Sequence, residues 1–225
     1  MVEQTHHSAL RIGDIIPNME IETDLGHFKL HDFVGDHWAI LFSHPKDFTP
    51  VCTTEFGSVA QLSAEWAKRN TKVIGISVDS ADSHAKWKLD IEKVAHAKPE
   101  FPIIADIDLR VSKAFNMLPA EYALPETGRA PAHTATVRSV FIIGPDKQVK
   151  LMMTYPMAVG RNFAEILRSL DALQTSTKHG VVCPANWQVG EDVIIPPAVK
   201  DEDAKAKFGE FHAELPYLRR TKLPQ

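Results

Sequence analysis

Cys52 is the residue of this sequence whose type and position most favour nucleophilic chemistry. It follows Thr49 and Pro50, two residue types preferred at the N-cap and the first position of a helix, where a threonine oxygen can cap free amides. Cys52 is therefore expected in the first helical turn, where unpaired backbone N–H groups and the positive end of the helix dipole favour a thiolate. A buried cysteine that serves only as a small apolar residue is the alternative, and position alone leaves it open.

Two short apolar runs, 38–43 and 73–78, have the pattern of strands that are buried on both faces of a parallel sheet. Together with a crossover helix between them they form a βαβ unit. The segment 44–55 then lies at the carboxyl end of the first strand, where ligands and reactive groups collect in α/β sheets. The residues at helical spacing that predict the crossover helix are Phe56, Val59, Ala60, Ser63, Trp66 and Ala67.

The rest of the chain continues this alternation of strands and helices. In chain order, the remaining patterns are a helix after Asp82, a strand at 103–104, a helix at 110–115, a hairpin of strands at 137–143 and 149–155, and a helix from Phe163 to Leu173. This order predicts an α/β, thioredoxin-like fold with an N-terminal extension over residues 10–37.

The composition changes after about residue 175, where prolines punctuate a polar stretch that is too poor in periodic apolar residues for a core of its own. We therefore expect a thioredoxin-like domain over residues 1–175 and a C-terminal arm or subdomain over 176–225. An arm without its own core must pack on something else, and a second subunit in a homodimer is the expected partner.

Composition and charge argue against several classes of protein. The net charge is −4 and Lys/Arg runs are lacking, so nucleic acid is not an expected partner. The polar N-terminus and the lack of 18 consecutive apolar residues predict a cytoplasmic protein that does not enter a membrane. Two cysteines make neither a disulfide framework nor a zinc site, and the 11 histidines lack paired helical spacing with carboxylates, so no metal is expected.

Four segments of the chain, in order, resemble the one-cysteine subfamily of the peroxiredoxins. PKDFTPVCTTE is similar to the active-site pattern of that family, and the TVRSVFIIGPD, YPMAVGRNF and PYLRR segments extend the resemblance over nearly the whole chain. The resemblance implies a thiol-dependent peroxidase without a cofactor. In such an enzyme the Cys52 thiolate attacks hydrogen peroxide or an organic hydroperoxide and becomes a sulfenic acid.

The same resemblance assigns roles to three residues around Cys52. It implies that Pro45 shields the thiolate from water, that Thr49 hydrogen-bonds the peroxide, and that Arg138 holds the thiolate and polarises the O–O bond. A charged planar donor suits that last role, because negative charge moves onto the departing oxygen. Without the resemblance, the sequence favours a solvated charge at a strand end for Arg138 and a helix cap for Thr49.

Supporting roles follow from the resemblance for three more residues. Glu55 and Arg161 resemble an ion pair that orients the catalytic arginine, and His44 resembles the histidine typical of the one-cysteine branch. Some members of this branch also carry a phospholipase activity attributed to a serine. His31 and Asp146 match the assisting positions, but His37 replaces the serine, so no phospholipase activity by that mechanism is expected.

Cys183 departs from the one-cysteine pattern, because its segment VCPANW resembles the resolving-cysteine segment of two-cysteine peroxiredoxins. In that class the second thiol condenses with the sulfenic acid of a partner subunit to form an intersubunit disulfide. The alternative is an incidental thiol and a cycle in which an external thiol, such as glutathione or a thioredoxin-like protein, reduces the sulfenic acid.

Two other functions compete with the peroxidase. A thiol–disulfide oxidoreductase would use the same fold, but Thr49 stands where a C-x-x-C motif ending at Cys52 needs its first cysteine. A peroxide-responsive redox sensor or a chaperone-like oligomer would use oxidation of Cys52 to change its assembly. The rate of peroxide consumption separates this alternative from an enzyme.

Overall fold

The computed structural model describes residues 9–119 and 134–223 of the chain. The chain divides into two compact units, Met1–Arg161 and Asn162–Gln225. The boundary predicted at residue 175 lies within a helix, Phe163–His179, that belongs to the second unit. Among the described residues, no helix is long and apolar enough to cross a membrane.

The first unit is built on a seven-stranded sheet with the order β2-β1-β5-β4-β3-β6-β7. Strands β3, β4 and β5 are parallel, and the other pairs are antiparallel. Strands β3 and β6 are buried along their whole length, and the continuous apolar run of β3 predicts this burial for that strand. The strands are β1 Glu20–Thr23, β2 Gly26–Lys29, β3 Trp38–Ser43, β4 Thr71–Ser77, β5 Ile103–Ala105, β6 Arg138–Ile143 and β7 Val149–Tyr155.

In the part of this unit that the structure describes, five helices accompany the strands. The single crossover helix predicted between β3 and β4 is two helices, because Leu62 (φ −89°, ψ 12°) leaves helical geometry. The N-terminal extension is not separate from the fold, since its hairpin joins the sheet where Thr23 pairs with Ile104. The helices are α1 Leu30–Val34, α2 Pro50–Gln61, α3 Ser63–Lys68, α4 Ala81–Ala95 and α5 Arg110–Ala114.

Aromatic packing holds helix α2 close to the sheet. The Phe56 ring lies 4.7 Å from the Phe42 ring of β3 and 4.8 Å from the Trp87 ring of α4. A Cβ atom on Gly75 of β4 would lie 2.8 Å from the Phe56 ring, and one on Gly57 would lie 2.8 Å from the Ala95 Cβ. The two glycines therefore permit the close approach of α2 to β4 and α4, which sets the position of the first turn of α2.

The second unit contains helix α6 (Phe163–His179), helix α7 (Asp201–Phe208) and a three-stranded sheet of β8 (Val193–Ile194), β10 (Leu218–Thr221) and β9 (His212–Leu215). The expectation that this part of the chain lacks a core is wrong. Val181, Trp187 and Val193 form a buried cluster. Sequence periodicity misses this cluster because its members come from loops and a two-residue strand.

Candidate active site

Cys52 lies in the first turn of α2 and is fully buried. The helix begins as predicted, with Thr49 at the N-cap in an extended conformation (φ −118°, ψ 147°) and Pro50 at the first helical position. The expected side-chain cap is wrong, since the Thr49 hydroxyl donates to the carbonyl of Lys46 at 2.9 Å. The N-terminal N–H groups of α2 thus have no cap from the Thr49 side chain.

Arg138 approaches Cys52 from the first residue of β6. Its Nη1 atom lies 3.3 Å from the Cys52 Sγ and 2.7 Å from Glu55 Oε2, and its Nε donates to the carbonyl of Met157 at 2.8 Å. The side chain is buried. The interpretation of Arg138 as a solvated charge is therefore wrong, and the structure brings its guanidinium to the thiol.

Glu55 holds two arginines at once. Its Oε1 accepts from the backbone N–H and the Nε of Arg161, both at 2.8 Å, and its Oε2 accepts from Arg161 Nη2 at 2.7 Å. Burial by itself raises the pKa of Glu55, but the hydrogen bonds and charge of Arg161, with Arg138, outweigh burial and lower this pKa. The carboxylate stays ionised and fixes the guanidinium of Arg138.

Arg161 makes further contacts within the same cluster, with a backbone carbonyl and with an aromatic ring. Its Nη1 donates to the carbonyl of Ser139 at 2.9 Å, and its guanidinium lies 5.2 Å from the centre of the Phe42 ring. Burial lowers the pKa of Arg161, against the hydrogen bond and charge of Glu55. The structure therefore brings Arg138 and Arg161 to Cys52 and Glu55 of α2, from which they are distant in sequence. Thr49 and Pro45 are half-buried in the segment that leads into α2.

His44 is also buried, and the structure gives it partners that the sequence did not indicate. Its Nε2 lies 2.7 Å from Asp47 Oδ1, and the other carboxylate oxygen of Asp47 lies 2.8 Å from Nδ1 of His84. Neither Asp47 nor His84 was a predicted site residue. Spacing along the chain carries no signal for this cluster, because His84 comes from α4, after the next strand of the sheet.

Burial and hydrogen bonding set the charges in this cluster. Burial raises the pKa of Asp47, but hydrogen bonds from His44 and His84 outweigh it and leave this pKa below its usual value. Burial lowers the pKa of His44 despite the hydrogen bond to Asp47. Within the described residues, this cluster is the group of side chains whose spacing could suit a metal ion. The nitrogen–oxygen distances of 2.7 and 2.8 Å within it are those of hydrogen bonds.

Cys183 is a free, half-buried thiol of the second unit. Its Sγ lies 3.6 Å from the carbonyl of Ala172 and 3.8 Å from the Ser176 hydroxyl of α6. The thiol packs at the edge of the Val181, Trp187 and Val193 cluster. A disulfide bond at Cys183 would replace these contacts of its thiol with Ala172 and Ser176.

His31, Asp146 and His37 occupy the positions that resemble a phospholipase site, and the structure shows the surroundings of each. His31 Nε2 lies 2.7 Å from the carbonyl of Ile16, and Asp146 forms an ion pair with Lys150. The Nδ1 of His37 is buried and has no partner among the described residues. The absence of phospholipase activity stays a prediction.

The charge states of the buried groups predict that the protein loses stability in acid. Asp47 and Glu55 have lowered pKa values in the folded state, so their stabilisation is present above their unfolded pKa values and is lost as pH falls through the folded ones. The lowered pKa of His44 acts in the same direction below about pH 6.5, because the unfolded chain takes up a proton first. We expect the free energy of unfolding, measured by urea titration, to fall by about 1 to 3 kcal/mol between pH 7 and pH 3. A flat or rising profile would contradict these charge states.

Comparison with known proteins identifies relatives along the whole chain. The AhpC/TSA family matches residues 12–152, and the C-terminal domain of 1-Cys peroxiredoxin matches residues 172–210. The mitochondrial peroxiredoxin PRX1 of Saccharomyces cerevisiae is 48% identical over 98% of this chain and 84% of its own length. Peroxiredoxin-6 of Rattus norvegicus is 47% identical over 96% of this chain and 98% of its own length.

The solved structures that resemble this chain are also peroxiredoxins. A structure of yeast mitochondrial 1-Cys peroxiredoxin, which concerns its thiol resolving mechanism via glutathione and thioredoxin systems, has a TM-score of 0.88 at 48% identity and covers 95% of this chain and 99% of its own. Peroxiredoxin 6 of Arenicola marina has a TM-score of 0.89 at 39% identity, over 96% of this chain and 100% of its own. The reduced 2-Cys peroxiredoxin of Plasmodium vivax has a TM-score of 0.72 at 29% identity and covers 83% of this chain and 93% of its own.

Proposed function

Since this chain belongs to the peroxiredoxins of the AhpC/TSA family and is a thiol-dependent peroxidase, we propose that Cys52 is its peroxide-attacking residue. The observation that carries this proposal is the 3.3 Å contact between the Cys52 Sγ and the buried guanidinium of Arg138. A fixed positive charge and the N-terminus of α2 both stabilise a thiolate at this point.

The reaction follows from the geometry around that sulfur. The thiolate attacks the terminal oxygen of a hydroperoxide, so an S–O bond forms while the O–O bond breaks. Cys52 becomes a sulfenic acid, and the departing oxygen leaves as an alkoxide or hydroxide that takes a proton. Arg138 stabilises the charge that moves onto the departing oxygen, because its guanidinium is held in place before the reaction begins.

Four neighbouring residues support this step. Glu55 and Arg161 fix Arg138, so little reorganisation is needed in the transition state. The Thr49 hydroxyl donates to the carbonyl of Lys46, which leaves its oxygen lone pairs free to accept from the O–H of the hydroperoxide. Pro45, which has no N–H group, limits the access of water to the sulfur.

A thiol reductant completes the cycle by reducing the sulfenic acid. The yeast 1-Cys peroxiredoxin uses glutathione and thioredoxin systems, and we extend that choice of reductants to this chain. A homodimer or a higher homo-oligomer fits the second unit, whose strand β9 is exposed along its whole length and is an edge strand of the described three-stranded sheet. The cytoplasmic location stays a prediction, because a relative 48% identical is a mitochondrial protein.

Rapid-mixing kinetics test the enzyme against the redox-sensor alternative. The reduced protein should consume hydrogen peroxide and an alkyl hydroperoxide in a fast second-order reaction, and a thiol reductant should sustain many turnovers. Trapping with a sulfenic-acid reagent, followed by peptide mass analysis, should place the modification on Cys52 after one equivalent of peroxide. Slow oxidation that is coupled to a change in assembly, without turnover, would reject the enzyme in favour of the sensor.

The sulfenic acid on Cys52 is reduced either by Cys183 or by an external thiol, and the two routes give different products. Because its thiol packs against α6, we expect the external-thiol cycle to dominate and one equivalent of peroxide to leave the protein mostly monomeric on a non-reducing gel. The Cys183→Ser variant is the matched control and should give the same gel pattern. A disulfide-linked dimer that appears in the parent protein and disappears in Cys183→Ser would instead assign the resolving role to Cys183.

A further inference from the structure

The loop between β7 and α6 carries two exposed apolar side chains. Met157 is 36% exposed and Val159 is 48% exposed, and the Val159 N–H donates to the carbonyl of Pro156 at 3.1 Å, which closes a turn. Single exposed apolar side chains are common on protein surfaces and indicate nothing by themselves. This pair differs because of where its loop is attached to the rest of the molecule.

Hydrogen bonding and packing attach this loop to the first turn of α2. The carbonyl of Met157 accepts from Arg138 Nε at 2.8 Å, and Nη1 of the same guanidinium lies 3.3 Å from the Cys52 Sγ. A Cβ atom on Gly160 would lie 3.4 Å from Val51 Cγ1, so the end of the loop packs on the residue before Cys52. Both ends of the loop are therefore fixed beside the buried sulfur.

The burial of Cys52 limits where the rest of a substrate can lie. Any part of a hydroperoxide beyond its two reacting oxygens must extend toward the surface residues around the first turn of α2. In an organic hydroperoxide the carbon group is attached to the departing oxygen, because the thiolate attacks the terminal one. Arg138 stabilises that departing oxygen, so the carbon group begins beside the guanidinium that the Met157 carbonyl holds.

A second apolar surface lies on the side of α2 that faces α4. Phe48 and Val94 line a cavity of about 610 Å³ there, and Thr49 borders it. In the reaction proposed above, the Thr49 hydroxyl accepts from the O–H of the hydroperoxide, and in an organic hydroperoxide this O–H belongs to the attacked oxygen. The carbon group is on the other oxygen, beside Arg138, so the geometry favours the Met157 side over this cavity.

We propose that Met157 and Val159 bind the carbon group of an organic hydroperoxide and raise the reactivity of this protein toward such substrates relative to hydrogen peroxide. Hydrogen peroxide has a hydrogen atom at that position, and only a carbon group can cover the apolar surface of the two side chains. The thioether of methionine is flexible and polarisable, so it adapts to carbon groups of different shapes. This role rests on the peroxidase function and on the roles of Cys52 and Arg138 proposed above.

The double variant Met157→Gln/Val159→Thr tests this role. Both changes nearly keep the size of the side chain, replace apolar atoms by polar ones and leave the backbone carbonyl at position 157 in place. We expect the ratio of the second-order rate constants for cumene hydroperoxide and hydrogen peroxide, measured by rapid mixing, to fall about fivefold. Met157→Leu restores an apolar side chain and should keep the ratio of the parent.

Leu89→Gln/Val94→Thr is the matched control, because it makes the same kinds of change at two exposed positions of α4, one of which lines the second cavity. Its ratio should equal that of the parent, and a fall in this variant would instead place the carbon group on the α4 side. An unchanged ratio in Met157→Gln/Val159→Thr would overturn the proposal. Equal losses of both rate constants would do the same, since the loop would then serve only to hold Arg138.

Methyl NMR separates this proposal from the role of Cys52. Cumyl alcohol, the product of cumene hydroperoxide reduction, has no peroxide bond and binds without reacting. Its titration into the reduced protein should shift the isotope-labelled methyl signal of Met157, which is assigned by its loss in Met157→Gln. A signal that does not move would reject the binding site, whatever the rate of the Cys52→Ser variant. A different state of assembly of Met157→Gln/Val159→Thr in sedimentation would also reject it, because the side chains would then contact a second copy of the chain.

Discussion

Replacement of Cys52 by serine is expected to abolish peroxide reduction. A serine hydroxyl is not ionised at neutral pH, and neither Arg138 nor the helix N-terminus can make it so, whereas both favour the thiolate. We expect the second-order rate constant for hydrogen peroxide to fall at least about a thousandfold, measured by rapid mixing with the reduced protein. The change is nearly isosteric, so the far-UV circular dichroism and the unfolding midpoint should stay close to those of the parent.

The other cysteine supplies the control for this result. Cys183→Ser should leave the first, stoichiometric reaction with peroxide at the rate of the parent, because its thiol lies in the second unit and packs on α6. A Cys52→Ser protein that still consumed peroxide at more than a tenth of the parent rate would show that the attacking group lies elsewhere. The same outcome would remove the basis for the roles of Pro45, Thr49 and Arg138.

Replacement of Glu55 by glutamine is expected to destabilise the fold and slow the reaction together. The carboxylate accepts from both Arg138 and Arg161, and all three side chains are buried. Loss of its charge leaves two buried guanidinium groups that repel each other, with the Cys52 thiolate as the nearby negative charge. We expect the free energy of unfolding, from denaturant titration at pH 7, to fall by about 3 to 5 kcal/mol. Peroxide reduction should also slow about tenfold or more, since Arg138 loses its fixed position.

Glu65→Gln is the matched control for that change. Glu65 also pairs with two cations, Lys68 and Arg69, but it lies at the surface, where water screens the charges. Its variant should therefore keep the stability and the rate of the parent. A Glu55→Gln protein as stable as Glu65→Gln would mean that the buried cluster contributes little to the fold, and an unchanged rate would mean that Arg138 keeps its place without Glu55.

Local sequence was sufficient to predict the main elements of the first unit. The apolar runs of β3 and β4 have the pattern of buried strands, and Thr49 and Pro50 mark the start of α2, because these signals act over a few neighbouring residues. The break at Leu62 and the core around Trp187 were not predictable, since both depend on packing between segments that periodicity does not relate.

The sequence by itself determined that Cys52 stands in the first turn of a helix at the carboxyl end of a buried strand, and its resemblance to a family indicated Arg138, Glu55 and Arg161 as neighbours. Only the tertiary structure decided that the hydroxyl of Thr49 turns to the carbonyl of Lys46 instead of capping the helix. It also decided that Asp47 joins His44 to His84, because the sheet places α4 beside the loop that precedes α2. Helix starts are local, whereas hydrogen-bond partners across a core are chosen by the packing of distant segments.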